Sequence, residues 1–155
     1  MDRYGVEMTD EEIVAFLERQ GHGVLSFGGD APYGLPVSFG YDVLNNRCVM
    51  QLVFAEGSRK QAHLNDSDAA HLVAYDWQGV DDWTSVLIDG RLSPIESETP
   101  DAVDAADVFA EFATMVGLTV FDHPPNELDA QWYELTIDEM SGRTAPPLAV
   151  EAETS

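Results

Sequence analysis

The chain has 155 residues, of which 45 % are hydrophobic, so it is long and apolar enough for one compact domain with its own core. Its 29 acidic residues and 7 Lys plus Arg give a formal net charge of −22, which argues against nucleic acids, anionic membranes and other polyanions as partners. The sequence has neither an apolar run of about 18 residues nor a basic, signal-like start, so we expect a cytoplasmic protein.

The first predicted element is a short helix. Residues 9–12, TDEE, fit a capping box, and apolar residues recur at helical spacing from Ile13 to Leu17. Gln20 and Gly21 then end the helix. One face of this helix is therefore expected to pack on the core.

Apolar runs separated by short turn-rich segments predict six strands. They cover residues 24–27, 34–41, 48–54, 70–77, 83–95 and 131–137. Pro36 lies in the second run and indicates an edge strand or a bulge, because proline cannot donate a ladder hydrogen bond. The short connections favour antiparallel pairing.

A second long helix follows the fifth strand. Thr99 or Ser97 can cap it, and Pro100 suits its first turn. The residues predicted to face solvent are Asp101, Asp104, Asp107 and Glu111. Those predicted to pack inward are Ala105, Ala106, Phe109, Phe112, Ala113 and Val116.

We find no internal repeat and no linker that would divide the chain. Residues 1–144 are expected to form one domain, followed by a flexible acidic tail over residues 145–155. Six short strands with two or three helices describe an α+β domain built on a small closed barrel.

The segment EGSRKQAHL contains the only lysine of the chain, Lys60, directly after Arg59. If Ser58 caps a short helix, both cations fall in its first turn, where the helix dipole disfavours positive charge. A bound phosphate monoester would offset that penalty. The alternative is a surface pair that makes ion bridges to Glu56, Asp66 or Asp68.

Other reactive residues form no recognisable site. The lone cysteine, Cys48, lies in an apolar run and is expected to be a buried thiol. The four histidines, His22, His63, His71 and His123, lack metal-ligand spacing, so no metal site is predicted. No hydrolase or P-loop motif is present.

Four segments in this order resemble the pyridoxamine 5′-phosphate oxidase-like flavoproteins. They are GLPVSFGYD at 34–42, residues 49–76 with the EGSRK turn, TSVLIDGRL at 84–92 and, weakly, WYELTIDEMSGR at 132–143. The resemblance implies a six-stranded antiparallel split β-barrel with flanking helices, the FMN-binding split barrel. It also implies FMN as cofactor and a homodimer with FMN at the subunit interface.

The resemblance also implies which positions bind FMN. Ser58, Arg59 and Lys60 match the phosphate-binding turn, residues 36–39 match a strand along the ring and ribityl chain, and Ser85 matches a polar contact to the flavin. The full implied set is Pro36, Val37, Ser38, Phe39, Val53, Phe54, Ser58, Arg59, Lys60 and Ser85.

The chain departs from true pyridoxamine phosphate oxidases. It lacks their C-terminal stretch with arginine and histidine, and Val53 stands where shorter relatives often carry a histidine. We therefore expect an FMN-dependent oxidoreductase that acts on a small molecule by hydride or electron transfer at flavin N5, and not vitamin B6 oxidation. The alternatives are a non-catalytic protein that binds or stores flavin, deazaflavin or haem, and a structural dimer without cofactor.

The charge pattern raises a separate hypothesis about the cellular environment. Acidic residues are dispersed along the chain, and lysine is almost absent from it. Concentrated salt screens charges beyond about 3 Å at 1 M. The composition thus favours a protein from a salt-loving organism, and the alternative is an ordinary acidic protein.

This hypothesis predicts that the thermal unfolding midpoint rises between dilute and multimolar potassium chloride, because screening weakens the repulsion within a chain of charge −22. Circular dichroism against temperature at several salt concentrations measures it. A midpoint that is flat or falls with salt would contradict the hypothesis.

Overall fold

The structure is a computed structural model that describes residues 5–28, 33–54, 68–96, 98–114 and 129–146. Within these ranges there are two helices and eight strands. The helices are α1 (Asp10–Gln20) and α2 (Pro100–Phe112). The strands are β1 (Val6–Glu7), β2 (His22–Phe27), β3 (Tyr33–Ser38), β4 (Gly40–Asp42), β5 (Arg47–Phe54), β6 (Ala69–Gly79), β7 (Asp82–Pro94) and β8 (Asp129–Thr144).

The capping box that begins α1 is confirmed. The Thr9 hydroxyl accepts from the Glu12 backbone N–H at 3.2 Å, and the Thr9 N–H donates to Glu12 Oε1 at 2.8 Å. Gly21 ends the helix at φ +65°, a left-handed conformation that favours glycine. The helix buries Ile13, Phe16 and Leu17.

Thr99 is the N-cap of α2, and its hydroxyl accepts from the Ala102 N–H at 3.1 Å. The four acidic residues predicted to face solvent are exposed. Of the residues predicted to pack inward, Ala105 is fully buried, and Phe109 meets the Trp132 ring edge to face at 5.2 Å between centroids. Val116 lies outside the described residues.

The sheet closes on itself through the chain connection between its two edges. The strand order is β3-β2-β6-β7-β8-β5-β4, all pairs are antiparallel, and β1 pairs with β8. The edge strands β3 and β4 are separated in sequence by one residue, Phe39. The sheet must therefore curl until β3 and β4 come together at Phe39, without pairing along their length, which confirms the α+β antiparallel split barrel.

The number of strands differs from the predicted six. The predicted strand 34–41 is two strands, because the Phe39 N–H donates to the Gly21 carbonyl at 2.9 Å while the chain leaves β2 and joins β5. The two-residue β1 has no signal of its own in the sequence, since its only partner is the distant end of β8. Pro36 lies on an edge strand, as predicted.

Alternating residues of the strands fill the barrel, and α1 packs on this core. Val86, Ile88 and Leu92 of β7 point inward, and Leu135 of β8 packs with them. Between Val86 and Leu92, Gly90 lies at a β-bulge where a side chain would collide with the Thr136 carbonyl. A second, smaller cluster joins α2 to the outer side of β5 and β8.

Helix α1 spans 11 residues and α2 spans 13, so neither described helix is long enough to cross a membrane. Strand β8 ends at Thr144. The predicted tail lies outside the described residues except for Ala145 and Pro146.

A buried arginine joins the barrel to α2. Arg47 is 3 % exposed, and its Nε donates to Asp42 Oδ2 at 2.9 Å, itself 5 % exposed. Its Nη1 donates to Glu134 Oε1 at 3.1 Å and to Asp101 Oδ2 at 3.3 Å. Nη2 lies 3.0 Å from Asp101 Oδ1 and makes no directed hydrogen bond, so that contact is an ion pair.

These contacts shift the pKa of both buried partners. Burial alone would raise the pKa of Asp42, but hydrogen bonds from Asn45 and Arg47 outweigh it, and the pKa lies below its ordinary value. Burial alone would lower the pKa of Arg47, but its hydrogen bonds to carboxylates raise it. Both groups are therefore charged at neutral pH.

We expect Arg47→Met to lower the free energy of unfolding by about 3 kcal/mol, because Asp42 would keep a buried charge without its cation. The control is Arg91→Met, which removes an exposed ion pair with Asp68 and should have little effect. Urea unfolding at constant high salt measures both. Equal effects of the two substitutions would contradict the role of Arg47.

The pH dependence has a defined sign. Because the pKa of Asp42 is lowered by folding, its contribution is present above the unfolded value of about 3.9 and is lost as pH falls through the folded value. We therefore expect the free energy of unfolding, measured with urea at several pH values, to fall less below pH about 4 in Asp42→Asn than in the wild type.

Candidate functional site

One outer face of the barrel carries a row of five residues, one from each of five strands, and four of the five are apolar. The registers align one residue from each strand, namely Pro36, Val24, Val73, Leu87 and Ser141. Val24 is 36 % exposed and Leu87 43 %. Most large apolar side chains of the strands are buried, so this exposed row is a candidate contact surface.

A second row of outward-facing residues lies two positions along the strands from the first, and this row is polar. Its members are Ser38, His22, Tyr75, Ser85 and Arg143. Ser38 pairs with His22, and Ser85 lies between Tyr75 and Arg143. The Gln20 side chain links His22 to the Tyr75 carbonyl. This row therefore connects β3 to β8 through polar groups.

A cleft of about 690 Å³, here called the proline cleft, opens between β3, β2 and β6. Its lining includes Gln20, His22, Val24, Pro36, Tyr75 and Trp77. Tyr75 is 54 % exposed and Trp77 is 59 % exposed. Both aromatic side chains are therefore accessible to solvent beside the apolar floor of the cleft, which Val24 and Pro36 form. Such a cleft suits a planar ligand that stacks on aromatic rings.

A second cleft of about 410 Å³, here called the arginine cleft, lies on the same face between β7 and β8. Its lining includes Glu7, Trp83, Ser85, Leu87, Ser141 and Arg143. Arg143 Nη2 lies 3.5 Å from the Gly5 carbonyl, and the residue is half-buried. The two clefts are neighbours, because Tyr75 of the first is paired with Ser85 of the second.

The strand β3 that carries Pro36 has one free edge. β3 ends the hydrogen-bonded order and pairs only with β2 among the described strands. In an edge strand, alternate backbone N–H and C=O groups point away from the single partner. No second strand among the described residues pairs with this side of β3, which lies beside the proline cleft.

The predicted site residues of β3 have different environments. Pro36 is exposed in the proline cleft, and Ser38 is half-buried in the polar row. Val37 and Phe39 are buried with the barrel core, so only their backbone could face a ligand.

The structure does not bring all predicted site residues into one cleft. Ser85 lies in the arginine cleft, next to the one that holds Pro36. Val53 and Phe54 pair with Ala130 and Asp129 through the backbone, and their side chains lie outside the described residues. The predicted phosphate-binding residues Ser58, Arg59 and Lys60 also lie outside the described residues.

Sequence reasoning missed Gln20, Tyr75 and the role of His22 in the proline cleft, and it missed Arg143 beside Ser85. These residues meet through strand register, which no local pattern encodes. One signal was available for Arg143, since it is one of only 7 cations in the chain.

The remaining reactive groups offer no catalytic or metal centre in the described ranges. Cys48 is fully buried, and burial raises the pKa of its thiol, so it is an inert core residue as predicted. His71 Nδ1 lies 2.7 Å from Asp89 Oδ1 on the exposed surface. Among the residues that the structure describes, no cluster of His, Cys, Asp and Glu could hold a metal ion.

A family model described as pyridoxamine 5′-phosphate oxidase matches residues 9–144. The chain belongs to this family. The match covers both helices and strands β2 to β8, so the resemblance inferred from four sequence segments is confirmed. Comparison of the sequence with curated proteins finds no match.

Solved structures share the fold at low identity. A FAD-binding protein from Mesorhizobium loti has a TM-score of 0.71 at 16 % identity, covering 91 % of this chain and 98 % of that one. The FAD-binding protein from Mycobacterium smegmatis has 0.66 at 15 %, covering 92 % and 100 %. A FAD- and haem-binding protein from the same organism has 0.62 at 17 %, covering 94 % and 77 %. These similarities confirm the split-barrel fold.

Proposed function

We propose that this protein binds FMN on the outer face of the barrel and acts as an oxidoreductase on a small molecule. The observation that carries the proposal is the free edge of β3, which lies beside a cleft with an apolar floor and two open aromatic rings. Family membership and flavin-binding proteins of the same fold support it.

The residues of this face fit an isoalloxazine ring. The ring is planar and needs an apolar surface together with hydrogen bonds at its polar edge. Pro36 and Val24 are adjacent across β3 and β2 and would provide the surface. The free backbone groups of β3 would provide hydrogen bonds that need no particular side chain, which agrees with the burial of Val37 and Phe39.

The phosphate group would be held by Ser58, Arg59 and Lys60. A phosphate monoester carries roughly two negative charges at neutral pH, so a chain of net charge −22 needs a local cationic site to bind it. Arginine supplies a fork of N–H donors and lysine a point charge. Strand β5 ends at Phe54, and Ser58 follows four residues later in the sequence.

Bound FMN would supply the electron-transfer chemistry at N5, and the protein would bind, orient and shield it. In the described residues there is no activated nucleophile, and this role requires none. The chain lacks the C-terminal arginine and histidine stretch of vitamin B6 oxidases, so we propose another small-molecule substrate. Cytoplasmic location and adaptation to salt stay predictions.

We further propose that two copies pair through the outer face and enclose FMN between them. The face exposes Val24, Tyr75, Trp77 and Leu87, an apolar surface that a second copy could cover. Ser85 lies in the arginine cleft rather than beside Pro36, which agrees with its contacting the FMN of the other subunit.

FMN binding is tested with the protein purified in high salt, stripped of cofactor and titrated with FMN, riboflavin, FAD and haem. We expect Arg59→Ala combined with Lys60→Ala to weaken FMN binding about 100-fold or more, because charge-assisted hydrogen bonds contribute about 1.5–3 kcal/mol each. Riboflavin lacks the phosphate, so its affinity should stay unchanged.

The control variant is Arg91→Ala, which removes an exposed arginine paired with Asp68. Full FMN affinity in the double variant would refute the phosphate site. A preference for FAD would correct the cofactor, and a Soret band after haem titration would favour the haem-binding alternative. A protein that binds none of the four would refute the flavin proposal.

The dimer is tested with Leu87→Glu, which places a charge in the apolar row. We expect this variant to be monomeric and to bind FMN more weakly, as measured by sedimentation equilibrium and flavin titration in high salt. The control Leu44→Glu adds the same charge in the turn between β4 and β5, where the leucine is 92 % exposed. A wild type that is monomeric, or equal dissociation in both variants, would refute this interface.

A further inference from the structure

The Gln20 amide fixes the tautomer of His22. Gln20 Nε2 donates to the Tyr75 carbonyl at 2.7 Å, and because a carbonyl only accepts, the contacting Gln20 atom must be the nitrogen. The same nitrogen lies 3.2 Å from His22 Nε2. An amide NH₂ only donates, so His22 Nε2 must accept and carries no proton. The proton of the neutral imidazole is therefore on Nδ1.

The Nδ1–H group of His22 is available to a ligand. His22 is half-buried and lines the proline cleft, and the hydrogen bond to Gln20 is the only one that its side chain makes to the described residues. His22 Nδ1 is not among the buried polar atoms that lack a partner, so this nitrogen is open to solvent and to a ligand in the cleft. His22 and Val24 are two residues apart in β2, so both side chains point to the outer face of the barrel and are separated by roughly 7 Å along the strand.

We propose that His22, held by Gln20 in the Nδ1–H tautomer, is the side-chain donor that the proline cleft presents to the acceptor edge of the flavin. The inference rests on the proposed function, because it needs FMN in this cleft. Reduction adds negative charge to the N1 and O2 edge of the ring, and a hydrogen bond to an anionic acceptor is stronger than one to a neutral acceptor. His22 therefore binds reduced FMN more tightly than oxidised FMN and raises its reduction potential.

The tautomer can be measured without any flavin. Long-range ¹H–¹⁵N spectra at pH 8 distinguish the two neutral tautomers, and His22→Asn identifies the His22 signals among the four histidines. We expect Nδ1–H in the wild type. In Gln20→Glu the carboxylate accepts instead of donating, so Nε2 should become protonated. An Nε2–H tautomer in the wild type would overturn the inference.

The role toward the flavin is measured as the ratio of affinities for reduced and oxidised FMN. We expect His22→Phe to lower this ratio about tenfold, which corresponds to a potential about 30 mV more negative. The control His71→Phe changes a histidine that lies outside the proline cleft and should leave the ratio unchanged. His22→Asn retains an N–H donor and should recover part of the loss.

The outcomes separate the two proposals. A wild-type protein that binds no FMN refutes the proposed function, and this inference with it. A wild-type protein that binds FMN, with the same ratio in His22→Phe, refutes the inference alone. Circular dichroism of each variant shows whether it is folded. If His22→Phe does not fold, the ratio of affinities for reduced and oxidised FMN is measured in His22→Asn instead.

Discussion

The fold depends on a single-residue connection between the two edges of its sheet. β3 and β4 lie at opposite ends of the strand order and are joined through Phe39, whose N–H is bonded to the Gly21 carbonyl. An open sheet could not satisfy this connection, so the strands curl into a barrel. Because of this connection, β3 is an edge strand of the sheet. Pro36 points to the outer face of the barrel and Val37 to its core, and the candidate site lies beside this edge.

Charge is a second constraint, because a chain with 29 acidic residues has only 7 Lys and Arg. Arg47 is used inside the protein, where it holds carboxylates from β4, α2 and β8 together. Arg91 makes only exposed pairs, while Arg143 lies in the arginine cleft. Arg47 therefore has a defined structural role, and the role of Arg59 and Lys60 in binding phosphate stays a prediction.

Local signals predicted most of the fold. The capping box at Thr9, the N-cap at Thr99 and the apolar runs depend on neighbours in sequence, and these elements were found as expected. The break at Phe39 and the strand β1 depend on partners far along the chain, so no local pattern could show them. The site divides in the same way. Pro36 and Ser85 were predicted from the order of motifs along the chain. Gln20 could not be predicted in this way, because its partner Tyr75 lies 55 residues away in the sequence.

The proposed FMN site and the proposed dimer interface share the outer face, so cofactor binding and assembly would depend on each other. Two chains of charge −22 carry 2 × (−22) = −44 together, so their pairing needs both apolar contact and screening. The proposed dimer would cover the row from Pro36 to Ser141 and would remove water from the clefts beside it. Hydrogen bonds to a ligand are stronger in such a water-poor site, so the effect of the proposed donor on His22 would be larger in the proposed dimer than in one copy alone. In the proposed dimer, salt dependence, pairing and flavin affinity would thus all depend on one charge distribution and one exposed face.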